Sequence, residues 1–335
     1  MDEDLFNERF CMKVKHSSPS VMASISNQTI SIFQCPITFD FDPTNIIHLP
    51  ASVVSTWSFF VAINIATSTL TVLINLLVIW TVLESNQLRS DRYYILVAIL
   101  SLSDFLVGFV VQPLLIALGV CIIDQCTYLC ELTLAYAVSA SLCYGWTAVS
   151  MVIVSLERYF YIEHPMYYQA SVTSKKLVIA SATSWALIGI SKPFSRLLMN
   201  DSFWTRQLIG ILTFGPCFVI ILFCVTKINL TARRQIRVIV AQQQTVAQQI
   251  KIKEYKRTFT LGLTVLASVA CICPIIILKI VKAVEGNFNG DIRYISHGIY
   301  FTFLNFQSII NPIIYSLRLS PIRSGVSKRL FCNRQ

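Results

Sequence analysis

Long stretches without a charged residue alternate with short charged segments along most of this chain. No charge falls between Asp42 and Glu84, and single acids, Asp104 and Glu131, interrupt the two stretches that follow. Four further uncharged stretches lie at residues 177–191, 207–226, 258–278 and 294–317. A helix that crosses a bilayer needs about 20 mostly apolar residues, so the pattern predicts seven membrane spans. The fourth stretch is short, and lysines at both of its ends can reach from it to the membrane surface.

The amino-acid composition supports the prediction of membrane spans. Hydrophobic residues make up 55% of the chain and charged residues 13%, whereas soluble proteins carry about a quarter charged residues. The predicted fold class is an all-α membrane protein, a seven-transmembrane helix bundle in a lipid bilayer. We expect a flexible extracellular tail over residues 1–51, the bundle over 52–317, and a short cytoplasmic tail over 318–335. The glutamine-rich residues 242–249 either extend spans five and six as helices or form a disordered loop.

The positions of lysine and arginine predict the orientation of the bundle. Most of the 27 basic residues fall in the loops after spans one, three and five and in the tail after residue 317. Positively charged loops stay in the cytoplasm, so the amino terminus is predicted outside and the carboxyl terminus inside. The net charge of +10 is then a topology signal, and nucleic acid is not an expected partner. No apolar secretory leader is evident, so span one is expected to direct the chain to the plasma membrane as a multi-pass protein.

Short motifs predict where the chain is modified. Asn27 and Asn200 begin glycosylation sequons on the predicted outer side, whereas Asn229 begins one on the cytoplasmic side and should stay unmodified. Cys332, near the carboxyl terminus, is either palmitoylated or a plain cytosolic thiol. The helix expected just before it lies along the inner leaflet, because four apolar residues recur there at helical spacing: Ile322, Val326, Leu330 and Phe331.

Enzyme chemistry has little support in the sequence. The four histidines are dispersed, and we find no metal-ligand spacing, no glycine-rich phosphate loop and no Ser/His/Asp arrangement. The pair Cys271 and Cys273 falls in the middle of a predicted span, without partner ligands. We therefore expect no enzyme activity, no catalytic residue and no cofactor, apart from an allosteric sodium ion.

The sodium expectation comes from Asp104, an isolated acid in the middle of the second predicted span. A charge at that depth costs about 2.5–3.5 kcal/mol on insertion scales and marks a functional hypothesis. Asn75 in span one and polar residues of span seven can converge on it. They form either a structural hydrogen-bond cluster between helices or a cation site. We expect a sodium ion, or else a proton, to neutralise Asp104 near Thr147, Ser308 and Asn311.

Seven short motifs occur in order, one in each predicted span. They are Asn75, the LSLSD segment ending at Asp104, Glu157-Arg158-Tyr159, Trp185, Pro216, Pro274 and the segment Asn311-Pro312-Ile313-Ile314-Tyr315. Together they resemble the rhodopsin-like (class A) G-protein-coupled receptor family, over residues 52–332. The resemblance implies a receptor that converts an extracellular ligand into activation of a heterotrimeric G protein.

The resemblance also implies that Arg158 is the centre of the coupling switch. In the family this arginine pairs with the neighbouring acid, here Glu157, at rest, and reaches the G protein when active. A second acid often lies on span six, twenty residues before its proline, and that position is Glu254. We expect Arg158 to bridge spans three and six through Glu254, unless the charges merely end a helix at the membrane interface. The other implied switch residues are Tyr159, Pro165, Met166, Asn311, Pro312 and Tyr315, of which Pro165 and Met166 offer an apolar contact to the G protein.

The chain departs from the family at several positions. The cysteine of the family's outer disulfide is here Thr133, and other pairings stay open among Cys11, Cys35, Cys121, Cys126 and Cys130. Ile272 replaces the span-six tryptophan and Cys224 the span-five tyrosine, two positions that usually take part in activation. A second hypothesis is therefore a seven-helix protein that does not signal, such as a decoy or trafficking partner. A transporter or channel lacks support, because no paired charges or inverted repeat mark a permeation path.

The family's ligand pocket falls on largely apolar residues of this chain. They are Ala140, Ser141, Tyr144, Leu208, Leu212, Ile275, Ile276, Phe301 and Asn305, with Lys279 at the rim. Amine receptors of the family carry an aspartate at the position of Ala140, and opsins a lysine at that of Asn305. Without a buried acid to hold an amine, the expected ligand is uncharged or lipophilic, or has an acidic end that meets Lys279.

Overall fold

The computed structural model describes residues 50–124, 126–198, 215–231 and 290–330, together with isolated residues and short helical stretches between residues 234 and 281. Residues 41–335 form one compact unit. Every regular element in the described part of the chain is helical, so the all-α prediction is confirmed there.

Most of the helices follow the predicted spans, and shorter helices connect them or follow the last one. They are α1 (Ala51–Glu84), α2 (Asn86–Ser90), α3 (Arg92–Leu106), α4 (Gln112–Asp124), α5 (Leu129–Glu163), α6 (Pro165–Ser171), α7 (Ser174–Leu198), α8 (Gly215–Thr231), α9 (Gly290–Arg318) and α10 (Ser320–Leu330). A π-helical turn, Val107–Val111, joins α3 to α4 without a break.

Three helices are long and apolar enough to cross a membrane, counting only the described residues. They are α1, the continuous segment Arg92–Asp124, and α5, with mean hydropathies of 2.0, 2.6 and 1.6. These correspond to the predicted spans one to three. The helix α8 is apolar but shorter, and α7 and α9 overlap the fourth and seventh predicted spans. The count of seven spans and the orientation of the bundle stay predictions.

One end of the bundle carries Arg158 and is named the Arg158 end. Polar N-cap side chains and a proline fix the helix boundaries at this end. The side chain of Ser85 accepts a hydrogen bond from the Leu88 amide at the start of α2. That of Asp91 accepts from the Tyr93 amide at 3.0 Å and starts α3. Such N-caps satisfy helix donors that otherwise lack a partner. Pro165 opens α6, where its missing N–H costs nothing.

The π-helical turn has a cause in the sequence. Pro113 has no amide hydrogen, and its ring crowds the carbonyl four residues earlier, so a regular α-helix cannot continue through it undisturbed. The helix widens over Val107–Val111, just before that proline. A hydroxyl from α1 then bonds a carbonyl of the wide turn, because Ser68 Oγ donates to Gly108 O at 2.7 Å. Pro113 was visible in the sequence as a cause of helix distortion, but our sequence analysis did not predict the π-helical turn from it.

The largest apolar core lies toward the Arg158 end and includes residues of α1, α3, α5, α9 and α10. Its members include Val78, Val82, Leu96, Val97, Leu100, Met151, Val154, Tyr315, Leu319, Ile322 and Val326. The short helix α10 therefore packs on the bundle through Ile322 and Val326. A Cβ added to Gly325 would lie 2.3 Å from Thr81 Cγ2, so glycine permits the close contact between α10 and α1. Arg329 fixes the same contact through Thr81 Oγ1 at 3.0 Å and an ion pair with Glu84.

The opposite end of the bundle carries disulfides. Cys121, in the last turn of α4, is bonded to Cys126 in the short loop that follows. Cys130, in the first turn of α5, is also disulfide-bonded. Thr133 is buried on α5 at the position of the family cysteine. One pairing that the sequence left open is thus a local bridge between the end of α4 and its own loop.

Candidate functional site

Glu157 and Arg158 form a buried ion pair near the Arg158 end of α5. The guanidinium donates twice to the neighbouring carboxylate, from Nε to Oε2 and from Nη2 to Oε1, each at 2.5 Å. Each residue is only 2% exposed. The helix runs on to Glu163, five residues further, so the pair lies within α5. Two parallel charge-assisted hydrogen bonds make this a strong and geometrically specific contact.

A tyrosine from the next helix closes the carboxylate side of this pair. Tyr168 on α6 donates its hydroxyl hydrogen to Glu157 Oε1 at 2.6 Å. Burial and the adjacent Glu157 carboxylate raise the pKa of Tyr168 well above its ordinary value, so the hydroxyl remains a donor at every physiological pH. Arg92 lies over the Tyr168 ring, 4.7 Å from its centre.

Two further tyrosines flank the guanidinium of Arg158. Its central carbon lies 4.7 Å from the ring centre of Tyr93 on α3 and 4.8 Å from that of Tyr161 on α5. Both distances are within the range of a cation–π contact. Arg158 is therefore held by a carboxylate and two aromatic rings at once, and it is not available to a partner in this conformation.

The remaining switch residues of this end differ in exposure. Tyr159 packs its ring against Phe223 of α8 and His164, with centres 5.8 and 5.6 Å apart. Met166 on α6 is 81% exposed and follows Pro165. Glu254 lies outside the described residues, so its contact with Arg158 stays a prediction. The acid that the structure does bring to Arg158 is Glu157.

A second polar cluster surrounds Asp104 in the middle of the bundle. Asp104 is fully buried, and its Oδ2 accepts a hydrogen bond from Asn311 Nδ2 at 2.9 Å. Thr147 donates to Ser103 Oγ at 3.1 Å on the same level. Asn75 Nδ2 donates to the Ser308 carbonyl at 3.0 Å. Residues from α3, α5 and α9 thus meet at Asp104, and Asn75 of α1 joins the cluster through the Ser308 carbonyl.

Three oxygens of this cluster are buried without a hydrogen-bond donor: Asp104 Oδ1, Asn75 Oδ1 and Asn311 Oδ1. A carboxylate and amide oxygens are ligands that suit hard cations. Buried polar atoms rarely stay unpaired in native proteins. The residues present therefore fit a small cation, or a proton on Asp104, and Thr147 and Ser308 lie beside the same carboxylate.

A third cluster crosses the bundle between Asp104 and the disulfide end. Tyr144 on α5 donates to Asn305 Oδ1 at 2.5 Å, and Asn305 Nδ2 donates to Asn64 Oδ1 at 2.8 Å. Asn64 Nδ2 in turn donates a hydrogen bond to Thr302 Oγ1 at 3.0 Å. The chain of hydrogen bonds connects α5, α9 and α1 through neutral groups. Our reading of the sequence missed Asn64 and Thr302, although a buried asparagine in an apolar span was a usable signal.

Part of the predicted ligand pocket adjoins this cluster. Phe301 packs edge to face on Tyr136, with ring centres 4.8 Å apart, and Ala140 is buried on the same helix as Tyr144. Ser141 is half-buried. The other predicted pocket residues lie outside the described residues: Leu208, Leu212, Ile275, Ile276 and Lys279.

Sequence comparisons relate the chain to known receptors. A family model described as "7 transmembrane receptor (rhodopsin family)" matches residues 74–199. Trace amine-associated receptor 8c of Rattus norvegicus is 26% identical over 279 residues, which cover 72% of this chain and 77% of that receptor. Adenosine receptor A3 of Ovis aries is 23% identical over 280 residues, 74% and 82% of the two chains.

Together these matches support a rhodopsin-like (class A) G-protein-coupled receptor. The matched family is one of receptors and not of enzymes, and three of the described helices are long and apolar enough to cross a membrane. The chain departs from the pattern of that family inside the bundle as well as at the disulfide end. Cys224, at the position of the usual span-five tyrosine, is a buried free thiol on α8. The corresponding span-six position, Ile272, lies outside the described residues.

Proposed function

We propose that this receptor sits in the plasma membrane and converts the binding of an uncharged or lipophilic extracellular ligand into activation of a heterotrimeric G protein. The observation that carries the proposal is the enclosure of Arg158 by Glu157, Tyr93 and Tyr161. A group that must contact a partner, and that is buried at rest, requires a change of conformation before it can act.

The signalling step follows from that requirement. A ligand that binds the open conformation better than the closed one shifts the population toward the open one. Opening frees Arg158 from Glu157 and lets it contact the G protein, while Met166 on α6 supplies an apolar contact. The closed state is favoured by the ion pair and the hydrogen bond from Tyr168, so basal activity is expected to be low.

The preference for an uncharged ligand follows from the neutral cluster of Tyr144, Asn305 and Asn64. Burying an ammonium group without a paired acid costs several kcal/mol or more. The described pocket residues contain no acid, and the family's amine-binding position is Ala140. An amide such as Asn305 hydrogen-bonds a carbonyl or hydroxyl group of a neutral ligand instead. A ligand with an acidic end could also meet Lys279 at the rim.

A sodium ion at Asp104 is proposed as an allosteric ligand of the same receptor. The three buried oxygens without donors support it, and Asp104, Asn75 and Asn311 would hold the ion. A bound ion would neutralise the carboxylate and hold α1, α3 and α9 together, which favours the closed state. Glycans on Asn27 and Asn200 and a palmitoyl group on Cys332 stay predictions, because these residues lie outside the described part of the chain.

Nucleotide exchange tests the function directly. The purified receptor in lipid nanodiscs is mixed with heterotrimeric G proteins, and GTP uptake is measured against a ligand panel. Adenosine serves as an uncharged probe and a trace amine as a protonated one, because relatives carry those names. We expect uncharged panel members to stimulate exchange, and Asn305→Leu to weaken the response. A potent amine that is insensitive to Asn305→Leu and Tyr144→Phe would refute the ligand class.

The alternative is a seven-helix protein that binds a ligand or a partner without signalling. The replacements at Cys224 and Ile272 favour it, because both fall at positions that take part in activation in the family. This alternative predicts no exchange above the rate of the G protein alone, with any ligand or G-protein subtype, from a protein that is folded and at the cell surface.

A further inference from the structure

We infer that Tyr93 and Tyr161 are positioning residues of the coupling switch, because their two aromatic rings hold the guanidinium of Arg158 in the closed state. The inference rests on the proposed function and adds the means by which Arg158 is restrained. Our sequence interpretation assigned the restraint to Glu157 and Glu254 alone. The geometry adds two rings, one from α3 and one from α5.

The position of Tyr93 is set by the backbone. It is the second residue of α3, and its amide donates to the Asp91 cap at 3.0 Å. Its side chain is buried in the apolar core, so the ring has little freedom. Its centre lies 4.7 Å from the central guanidinium carbon of Arg158. Packing in the core therefore holds the Tyr93 ring at the position where it contacts the guanidinium.

Tyr161 reaches the same guanidinium along α5. It lies three residues after Arg158, a spacing that puts two side chains on one face of a helix. Its ring centre is 4.8 Å from the same guanidinium carbon. Arginine suits this arrangement better than lysine, because its planar guanidinium stacks on aromatic faces and is more weakly hydrated. Burial of the guanidinium strengthens the contact, since cation–π attraction grows when the cation is desolvated.

The rings also connect Arg158 to α6. Tyr161 packs edge to face on Tyr168, with ring centres 5.2 Å apart, and Tyr168 donates to Glu157. Met166, which is exposed for a partner, lies on the same seven-residue helix as Tyr168. A partner that binds Met166 and displaces α6 thus loosens Tyr168, Glu157 and the Tyr161 ring together.

A role in packing alone makes different predictions from a role in holding the cation. If Tyr93 and Tyr161 only fill space, removing either ring lowers thermal stability and leaves basal signalling unchanged or lower. If the rings hold Arg158, removing one favours the open state and raises basal signalling. Phenylalanine keeps the ring and removes only the hydroxyl. The phenylalanine variants therefore distinguish the effect of the ring from the effect of hydrogen bonds made by the hydroxyl.

The test compares Tyr93→Leu and Tyr161→Leu with Tyr93→Phe and Tyr161→Phe. Trp57→Leu is the control for the loss of a buried ring, because Trp57 is 2% exposed on α1 and packs on Phe60. Basal nucleotide exchange and the thermal midpoint are measured for each purified protein. We expect the two leucine variants to raise basal exchange roughly three- to tenfold, and the phenylalanine variants and Trp57→Leu to remain near wild type in basal exchange.

A second measurement keeps the inference separate from the proposed function. The rate at which phenylglyoxal modifies Arg158 in the folded protein, followed by peptide mass spectrometry, reports its exposure without a G protein. We expect slow modification in the wild type and faster modification in both leucine variants. If exchange is absent in every variant but Arg158 becomes reactive, the signalling function fails and the positioning role stands. If the leucine variants leave Arg158 as protected as the wild type, or the phenylalanine variants expose it equally, the inference is overturned.

Discussion

Replacing Asp104 by asparagine tests whether the central polar cluster binds sodium. In the structure Asp104 is fully buried, and its Oδ2 accepts a hydrogen bond from Asn311 at 2.9 Å. Its other oxygen and the side-chain oxygens of Asn75 and Asn311 have no donor. An unpaired carboxylate in such a place is costly, so an ion that fills the gap binds the folded state and not the unfolded one. Asparagine keeps the size of the side chain and removes the charge that attracts the ion.

The expected effect on stability follows from binding linkage. A ligand present at 100 times its dissociation constant raises the free energy of unfolding by about 2.7 kcal/mol. The thermal midpoint of the purified receptor should therefore rise in sodium chloride relative to potassium chloride at equal ionic strength. In Asp104→Asn the two salts should give the same midpoint. Asp124→Asn is the control, because Asp124 is an exposed acid at the end of α4 and its removal should leave the sodium effect intact.

A proton at Asp104 makes a different prediction in the same assay. The folded state would then bind a proton that the unfolded state releases, so stability would fall as the pH rises, and sodium and potassium would be equivalent. Asp104→Asn would remove that pH dependence. If the wild type depends on neither sodium nor pH, and Asp104→Asn matches it in stability, then the cluster is a structural hydrogen-bond network and the reasoning is wrong.

Three further predictions concern other parts of the chain. Glu254→Ala should raise basal nucleotide exchange roughly two- to tenfold, because an ion pair worth about 0.4–1.4 kcal/mol is lost; an unchanged rate at normal surface expression would count against the bridge to Arg158. Peptide mass mapping should find a glycan on Asn27 and none on Asn229, whose sequon hydroxyl, that of Thr231, already donates to Glu163. Gly325→Val should lower the free energy of unfolding by about 1–3 kcal/mol, since its Cβ meets Thr81 Cγ2, and Thr81→Ser should restore part of the thermal midpoint.

The helix bundle and the family were accessible from the sequence because each rests on a local pattern. Uncharged stretches of bilayer length predicted the helices that contain Asn75, Asp104 and Arg158, and three of these helices are long and apolar enough to span a membrane. The order of one motif per span predicted the family, which the comparisons confirm. The sequence also predicted that Asn311 would lie near Asp104, and the two side chains are hydrogen-bonded across a separation of 207 residues.

The surroundings of Arg158 could not be predicted in the same way. Tyrosines are common at membrane interfaces, where they anchor helices, so Tyr93 and Tyr168 carried no distinctive signal. Their role depends on how α3 and α6 pack against α5, and residue spacing does not encode that packing. Asn64 itself could have been noticed as a polar residue in an apolar span, but its partner could not, since Asn305 is on α9 and only the folded bundle brings the two amides to 2.8 Å.

The most direct test of the account is basal and ligand-stimulated nucleotide exchange by Arg158→Ala and Glu157→Gln, measured side by side with the wild type. The account predicts opposite changes. Arg158→Ala should abolish exchange, because the guanidinium is needed at the G protein. Glu157→Gln should raise basal exchange about tenfold or more, because a buried charge-assisted contact worth about 1.5–3 kcal/mol is weakened. Exchange by Arg158→Ala equal to that of the wild type, or a change of both variants in the same direction at equal folding and surface level, would contradict the account.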